Sequence, residues 1–405
     1  MEFSRRTLAA AAALALTGSL LATPALAQKK YDPGASDTEI VLGMPMPLSG
    51  PVSGYSIVGK VAEGYFKKIN DAGGINGRKV KLLIYDDQYS PPKTVEVARR
   101  LVEQDEILAM FGNLGTAPNA AIQRYMNAKK VPQLFVQSGA AQFNDSAKSP
   151  WTTPFLASYQ GEGRVFAKQI LASKPNAKVA VLMQNDDLGR EVLRGLQEGF
   201  KGQSASIVSQ ATFEVTDPTV DSQMVQLKTS GADVLVISAT ARTVAQAIRK
   251  TAELGWDAER YVNFAGSSVK MAMEPAGPEK SKGTLTLSVY KEPMAKRWAE
   301  DASVQEYHAL LKQYVPGADP GNSSGVQGYI AAQLMHHILR ECGDNLTREN
   351  VRTIASNLKS PKIDILLPGV TINTSPADLH AYATMQPMRY NGVDLDPVGP
   401  VLSVK

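Results

Sequence analysis

A single cysteine, Cys342, stands among the 405 residues of this chain. No internal disulfide can therefore brace the fold. Histidine is scarce too: His308, His336, His337 and His380 are the full set. His336 and His337 are adjacent on a predicted helix and point apart, and no pair has the spacing of a zinc site. Neither a metal nor any other cofactor is expected. Charge of one sign is thin, a net +4 from 43 basic and 39 acidic residues. That balance argues against a nucleic-acid partner and against attachment to a membrane surface. Beyond the first 27 residues no apolar run reaches spanning length, so no direct membrane insertion is expected.

Two motifs are present only in part. Residues 54–60 have the spacing of a phosphate-binding loop, but Val61 stands where Ser or Thr must hold magnesium. Gly321-Asn322-Ser323-Ser324-Gly325 matches a serine nucleophile elbow. The elbow needs a strand directly before it, and residues 316–320 read as a loop. No catalytic set remains, and the expectation is a protein that is not an enzyme.

What is present begins with an export signal. Arg5-Arg6 opens a charged region, residues 8–21 are apolar and alanine-rich, and Ala25-Leu26-Ala27 offers small-x-small cleavage. Cleavage is expected after Ala27. The paired arginines suit a twin-arginine signal, but Thr7-Leu8-Ala9 fits loosely, so both export routes stay open. No cysteine follows the cleavage point to carry lipid. The expected location is the periplasm. Residues 28–405 are too many for one ordinary core and suit two domains.

Strands and helices alternate from there. Strands are predicted at 39–44, 80–85, 107–111 and 133–136, then at 178–183, 207–212, 234–237, 261–264 and 284–289. Val58, Val61, Ala62, Tyr65 and Ile69 recur at helical spacing between the first two. This rhythm implies an α/β fold with parallel sheets covered by helices on both faces. Residues 70–92 hold one complete unit: a helix stopped by Gly73-Gly74, an Asn76-Gly77 turn, a buried strand, then Asp86-Asp87. The second half repeats it, with a strand ending on Asp186-Asp187. Acids so placed are expected to cap the helix that follows.

Ligands of open parallel sheets bind beyond the carboxyl ends of strands. The segment from Gly112 through Gly115, Thr116 and Ala117 to Pro118 follows one such end. Gln137-Ser138-Gly139-Ala140 follows a second and Ser238-Ala239-Thr240-Ala241 a third. Gly115 would let a ligand approach the backbone, and free amides at the helix start would receive a carboxylate. Three such turns together indicate a ligand cleft between two similar lobes.

The segment GGINGRKVKLLIYDDQ, with Met46-Pro47-Leu48-Ser49-Gly50-Pro51, closely resembles periplasmic binding proteins of the branched-chain amino acid receptor type. The resemblance implies a type I periplasmic binding fold: two doubly wound parallel-sheet lobes joined by a three-stranded hinge. It would assign residues 38–156 with 288–367 to one lobe and 157–287 with 368–405 to the other. The crossings would fall near 155–157, 287–290 and 366–370. It implies that Gly115, Thr116, Ala117, Ser138, Gly139 and Ala140 hold a ligand carboxylate. Tyr55 would cover the ligand, and Thr240 and Ala241 would meet it from the second lobe. Family members that bind amino acids usually carry an acid after the strand predicted at 261–264. Here the residues are Ala265-Gly266-Ser267-Ser268. A buried ammonium without a partner is costly, so Gly266 points away from an amino acid. Tyr159 and Tyr290 would help line an aromatic pocket. The expected function is capture of a small carboxylate, aromatic or otherwise apolar, for an inner-membrane ABC permease. The alternatives are a branched-chain amino acid receptor and a periplasmic sensor subunit.

Overall fold

The computed structural model describes residues 29–405. The export segment expected at residues 1–27 lies outside them. The first sheet is built from β1 (Glu39–Met46), β2 (Lys79–Asp86), β3 (Ala109–Phe111), β4 (Gln133–Val136) and β5 (Thr152–Pro154). All pair in parallel, in the order β2-β1-β3-β4-β5. Between them run α1 (Ile57–Asp71), α2 (Pro91–Glu103) and α3 (Thr116–Lys129). Helix α1 buries Val58, Val61, Ala62 and Tyr65 on one stripe, as its spacing implies. It is followed by Gly73 and Gly74 at φ +108° and +84°, a conformation that ends a helix.

The second sheet repeats the plan. Helix α4 (Tyr159–Ser173) leads to β6 (Lys178–Gln184), α5 (Asp187–Phe200), β7 (Ser206–Phe213), α6 (Asp221–Thr229) and β8 (Val234–Ser238). Then come α7 (Ala241–Glu253), β9 (Glu259–Val262) and β10 (Leu285–Ser288). Strands β7-β6-β8-β9-β10 lie side by side in parallel. Strand β6 is buried along its length except at Lys178, because helices cover both faces. Edge strand β7 instead alternates exposed and covered residues.

The chain then returns to the first lobe through α8 (Ala302–Tyr314), α9 (Ser324–Cys342) and α10 (Arg348–Ala355). Helices α8 and α9 pack on α1. Lys30–Tyr31 pairs with Asn345–Leu346 beside them. Finally β11 (Thr384–Tyr390) joins the second sheet antiparallel to β10, and β12 (Leu395–Pro397) adds to its edge. No described helix is long and apolar enough to cross a membrane. Two of the passages between sheets pair with each other. The Leu367 amide donates to the Val289 carbonyl and the Lys291 amide to the Ile365 carbonyl, both at 2.9 Å. Lys291 also donates to Asp301 at 2.7 Å, tying this passage to the start of α8.

Three local expectations change. The strand predicted at 261–264 ends at Val262, and Phe264–Gly266 is a 3-10 turn. Glu162 accepts the Phe264 amide at 2.5 Å and Asn263 accepts the Ala239 amide at 2.9 Å, which draws the chain off the ladder. The strand predicted from residue 107 starts at Ala109. Of the two acid pairs, only the second caps a helix: Asp186 accepts the Leu188 amide at 3.0 Å. Asp86 instead accepts from Leu48, Ser49 and Gln88, pinning the loop after β1. Asp87 accepts from Tyr89 and Thr94, and Ser90 stands at the start of α2 without a side-chain cap.

Helices α4 and α5 cross at glycines. A Cβ on Gly163 would fall 2.2 Å from the Val192 carbonyl oxygen and 2.9 Å from the Gly195 Cα. Backbone on both sides leaves no flexible side chain to yield. Gly163→Ala is expected to destabilise the protein by about 1–3 kcal/mol, read as a lower urea midpoint. An unchanged midpoint would show that the two helices slide freely.

Candidate functional site

Both sheets reverse strand order beside their first strand, between β1 and β3 and between β6 and β8. Such switch points leave a crevice beyond the carboxyl ends of the strands. The two crevices face each other across one small cavity of about 30 Å³. From the first lobe its wall holds Tyr55, Tyr89, Leu114, Gly115, Thr116 and Gln137. From the far side come Tyr159, Leu188, Thr240 and Ala265. No charged side chain is among these lining residues.

Thr116 begins α3, preceded by Gly115, and the Thr116 and Ser138 hydroxyls lie 2.8 Å apart. The Tyr159 hydroxyl lies against both hydroxyls and against the Gly139 amide. Burial holds its phenol well above the ordinary value, so it stays a neutral donor. The Ala140 amide donates to the Ser138 oxygen at 3.2 Å. These donors are packed against one another at one end of the cavity.

At the other end Tyr55 reaches across from the first lobe. Its hydroxyl donates to the Ala265 carbonyl at 2.7 Å and accepts from the Ala241 amide at 3.0 Å. Burial pushes this phenol up to about 12. Helix α7 starts at Ala241 without a side-chain cap, as α3 does at Thr116. Both starts present the positive end of a helix dipole; at α7 the Ala241 amide is already bonded to the Tyr55 oxygen. Tyr55 and Thr240 also line a neighbouring groove of about 210 Å³ that includes Arg242 and Met271.

Five of the twelve residues expected from sequence line the cavity: Tyr55, Gly115, Thr116, Tyr159 and Thr240. Ser138, Gly139 and Ala140 stand behind Thr116 and Tyr159. A Cβ on Gly139 would lie 1.9 Å from the Ala157 carbonyl, so this glycine seats the chain where it passes between sheets. Ala241 takes part through its amide, already bonded to Tyr55. Ala117, Gly266 and Tyr290 are not in the wall. Gly266 fits beneath the Ala239 carbonyl, 2.2 Å from where its Cβ would be, and Tyr290 packs on Phe264 at 5.7 Å between ring centres.

The expectation for Gly115 changes in its reason. Gly115 has φ +98°, and a Cβ there would lie 2.3 Å from the Tyr89 ring. It admits the Tyr89 side chain, itself held at φ +59°. Sequence reasoning misses Tyr89 and Leu188. Each follows a strand's acid pair by two or one residues, a position that signals the cavity only once both sheets are aligned.

Further contacts cross between the lobes. Both oxygens of Glu191 in α5 accept the Ala141 amide at 3.0 Å, and Gln142 donates to Asp187 at 2.6 Å. Burial pushes the Glu191 carboxyl up to about 7, against the pull of the Ala141 amide; Asp187 adds to the rise, while Arg194 and His380 oppose it. A parting of the lobes would expose this group and return it toward the ordinary value of 4.5. The closed form therefore holds the proton more tightly. Closure is favoured at low pH and weakens as pH rises from about 4.5 to about 7. Ligand affinity is expected to fall roughly tenfold between pH 5 and 7.5, and Glu191→Gln to flatten that slope. Calorimetry across this range checks it; an equal slope in both proteins would remove Glu191 from the closing equilibrium.

Comparison with known proteins agrees with this architecture. A family model described as a periplasmic binding protein matches residues 39–394. A Leu/Ile/Val-binding protein homolog from Brucella abortus is 22% identical over 317 residues, covering 73% of this chain and 82% of that protein. Among solved structures, a branched chain amino acid ABC transporter from Thermus thermophilus with bound valine superposes with a TM-score of 0.81 at 16% identity. It covers 91% of this chain and 97% of that one. A fatty acid ABC transporter substrate-binding protein from Thermomonospora curvata gives 0.79 at 18% identity, covering 93% and 95%.

Proposed function

This chain belongs to the periplasmic binding protein family, and from that premise we propose that it is the solute-capturing component of an ABC importer, closing on a small carboxylate. The observation that carries the reading is that the α3 start at Thr116 and Thr240, the residue before the α7 start, share one cavity without a charged wall residue. The amides at the α3 start and the two helix dipoles favour an anion. The hydroxyls of Thr116 and Tyr159, backed by Ser138, supply further donors, and the rings of Tyr55, Tyr89 and Tyr159 supply apolar contact. An aromatic or other apolar organic acid suits this combination. A cavity of about 30 Å³ admits only a water-sized group, so solute enters when the lobes part. The expected division, residues 38–156 with 288–367 against 157–287 with 368–405, needs one correction: residues 374–379 bond Asn144, Ser146, Ala355 and Leu358 and go with the first unit, so the two units move about passages of which the last lies beyond residue 379. The ligand leaves unaltered, in keeping with a family of binding proteins. The protein works in the periplasm after cleavage behind Ala27, and the closed form docks on an inner-membrane permease.

A branched-chain amino acid is the second reading, favoured by the names of the relatives. Against it, an ammonium here would lack a carboxylate partner on the wall. A thermal-shift screen of small acids, amino acids and sugars tests the proposal. An acid at about 100 times its Kd raises stability by about 2.7 kcal/mol, visible as a higher melting temperature. A response to neutral sugars alone would overturn the carboxylate reading.

A further inference from the structure

Gln137 lies just past β4, lines the cavity and is 3% exposed. Neither polar atom of its side-chain amide has a hydrogen-bond partner among the described residues. Its backbone is firmly placed: its amide donates to the Asn113 carbonyl at 3.0 Å, and it bridges Leu114 in parallel. Buried amides without partners are rare and costly. This one is held in place by its backbone, in the wall of the cavity.

The neighbouring groups are already engaged. Thr116 and Ser138 bond each other, and Tyr55 bonds Ala241 and Ala265. Gln137 therefore sets a separate demand: one donor for Oε1 and one acceptor for Nε2. A bare carboxylate meets Nε2 and leaves Oε1 unmatched. An ammonium alone meets Oε1 and leaves Nε2 unmatched, and an amino acid meets both but brings a positive charge that no carboxylate of the wall balances. A carboxylate that also bears a hydroxyl meets both. We propose that Gln137 determines specificity by selecting a hydroxylated carboxylate over its unsubstituted parent, with the ligand hydroxyl donating to Oε1 and a ligand oxygen accepting from Nε2. The inference rests on the carboxylate reading and deepens it.

Calorimetry on the mature chain tests it with matched acids: benzoate against its 2-, 3- and 4-hydroxy forms, and 4-methylpentanoate against its 2-hydroxy form. The unaltered protein is expected to bind at least one hydroxylated member about tenfold or more tightly than its parent. Gln137→Leu, similar in size, should erase that preference, lowering the affinity of the hydroxylated acid by more than that of its parent. Gln137→Met serves as a second variant if leucine disturbs folding. A preference that survives both substitutions overturns the proposal. So does equal binding of every pair by the unaltered protein, an outcome that leaves the carboxylate reading standing. Binding of no acid overturns both.

Discussion

A chain carrying Thr116→Val together with Ser138→Ala is expected to lose carboxylate affinity by about 10- to 100-fold while keeping its fold. A hydroxyl bonded to a charged ligand, here that of Thr116 with Ser138 behind it, contributes about 1.5–3 kcal/mol, and tenfold in affinity corresponds to about 1.4 kcal/mol. The two hydroxyls bond each other at 2.8 Å in a buried setting. Removing one leaves the other without its partner. Removing both leaves neither, and paired replacement by apolar groups of similar shape is close to neutral. The double variant should therefore melt nearer the unaltered protein than either single variant does. The Ala140 amide loses its contact with Ser138 and sets a small residual cost. Titration calorimetry and thermal melts read the two quantities separately. Retained affinity in the double variant would move the carboxylate site away from this end of the cavity.

The second large effect is expected at Tyr55. Its hydroxyl is the one cavity group that joins backbone of the other lobe at two points, Ala241 and Ala265. Tyr55→Phe leaves that amide and carbonyl unmatched when the lobes are closed, at about 1–3 kcal/mol together. In the open form water satisfies both. The substitution thus penalises closure alone. Ligand affinity should fall about 10- to 100-fold, mostly through faster release, with the melting temperature of the free protein little changed. Stopped-flow release rates would show it. A release rate within twofold of the original would mean that Tyr55 only fills space.

Residues with local partners are legible in the sequence. Gly73-Gly74 ends a helix and Asp186 caps one, because each acts on backbone within a few positions. Strand and helix order follows from periodicity, which reflects burial against neighbouring layers. What stays hidden depends on distant partners. Asp86 binds backbone 37 and 38 positions away, so it reads as a cap until the loop after β1 is placed. Gly115 is a glycine for the sake of the Tyr89 ring, and Gly266 for the Ala239 carbonyl. Their spacing alone suggests room for a ligand. Tyr290 reads as a pocket aromatic by type, yet it pairs with Phe264. The Glu191 contact with Ala141 spans 50 positions and two lobes, beyond the reach of any local pattern.

The central claim is that the cavity takes an acid and not an amino acid. Leucine and 4-methylpentanoate share one carbon skeleton and differ by the ammonium group, which makes their calorimetric comparison the most direct measurement, with benzoate as the aromatic counterpart. The expected result is measurable binding of benzoate or 4-methylpentanoate, with leucine weaker by about tenfold or more. Tight binding of leucine with no response to either acid would contradict the account.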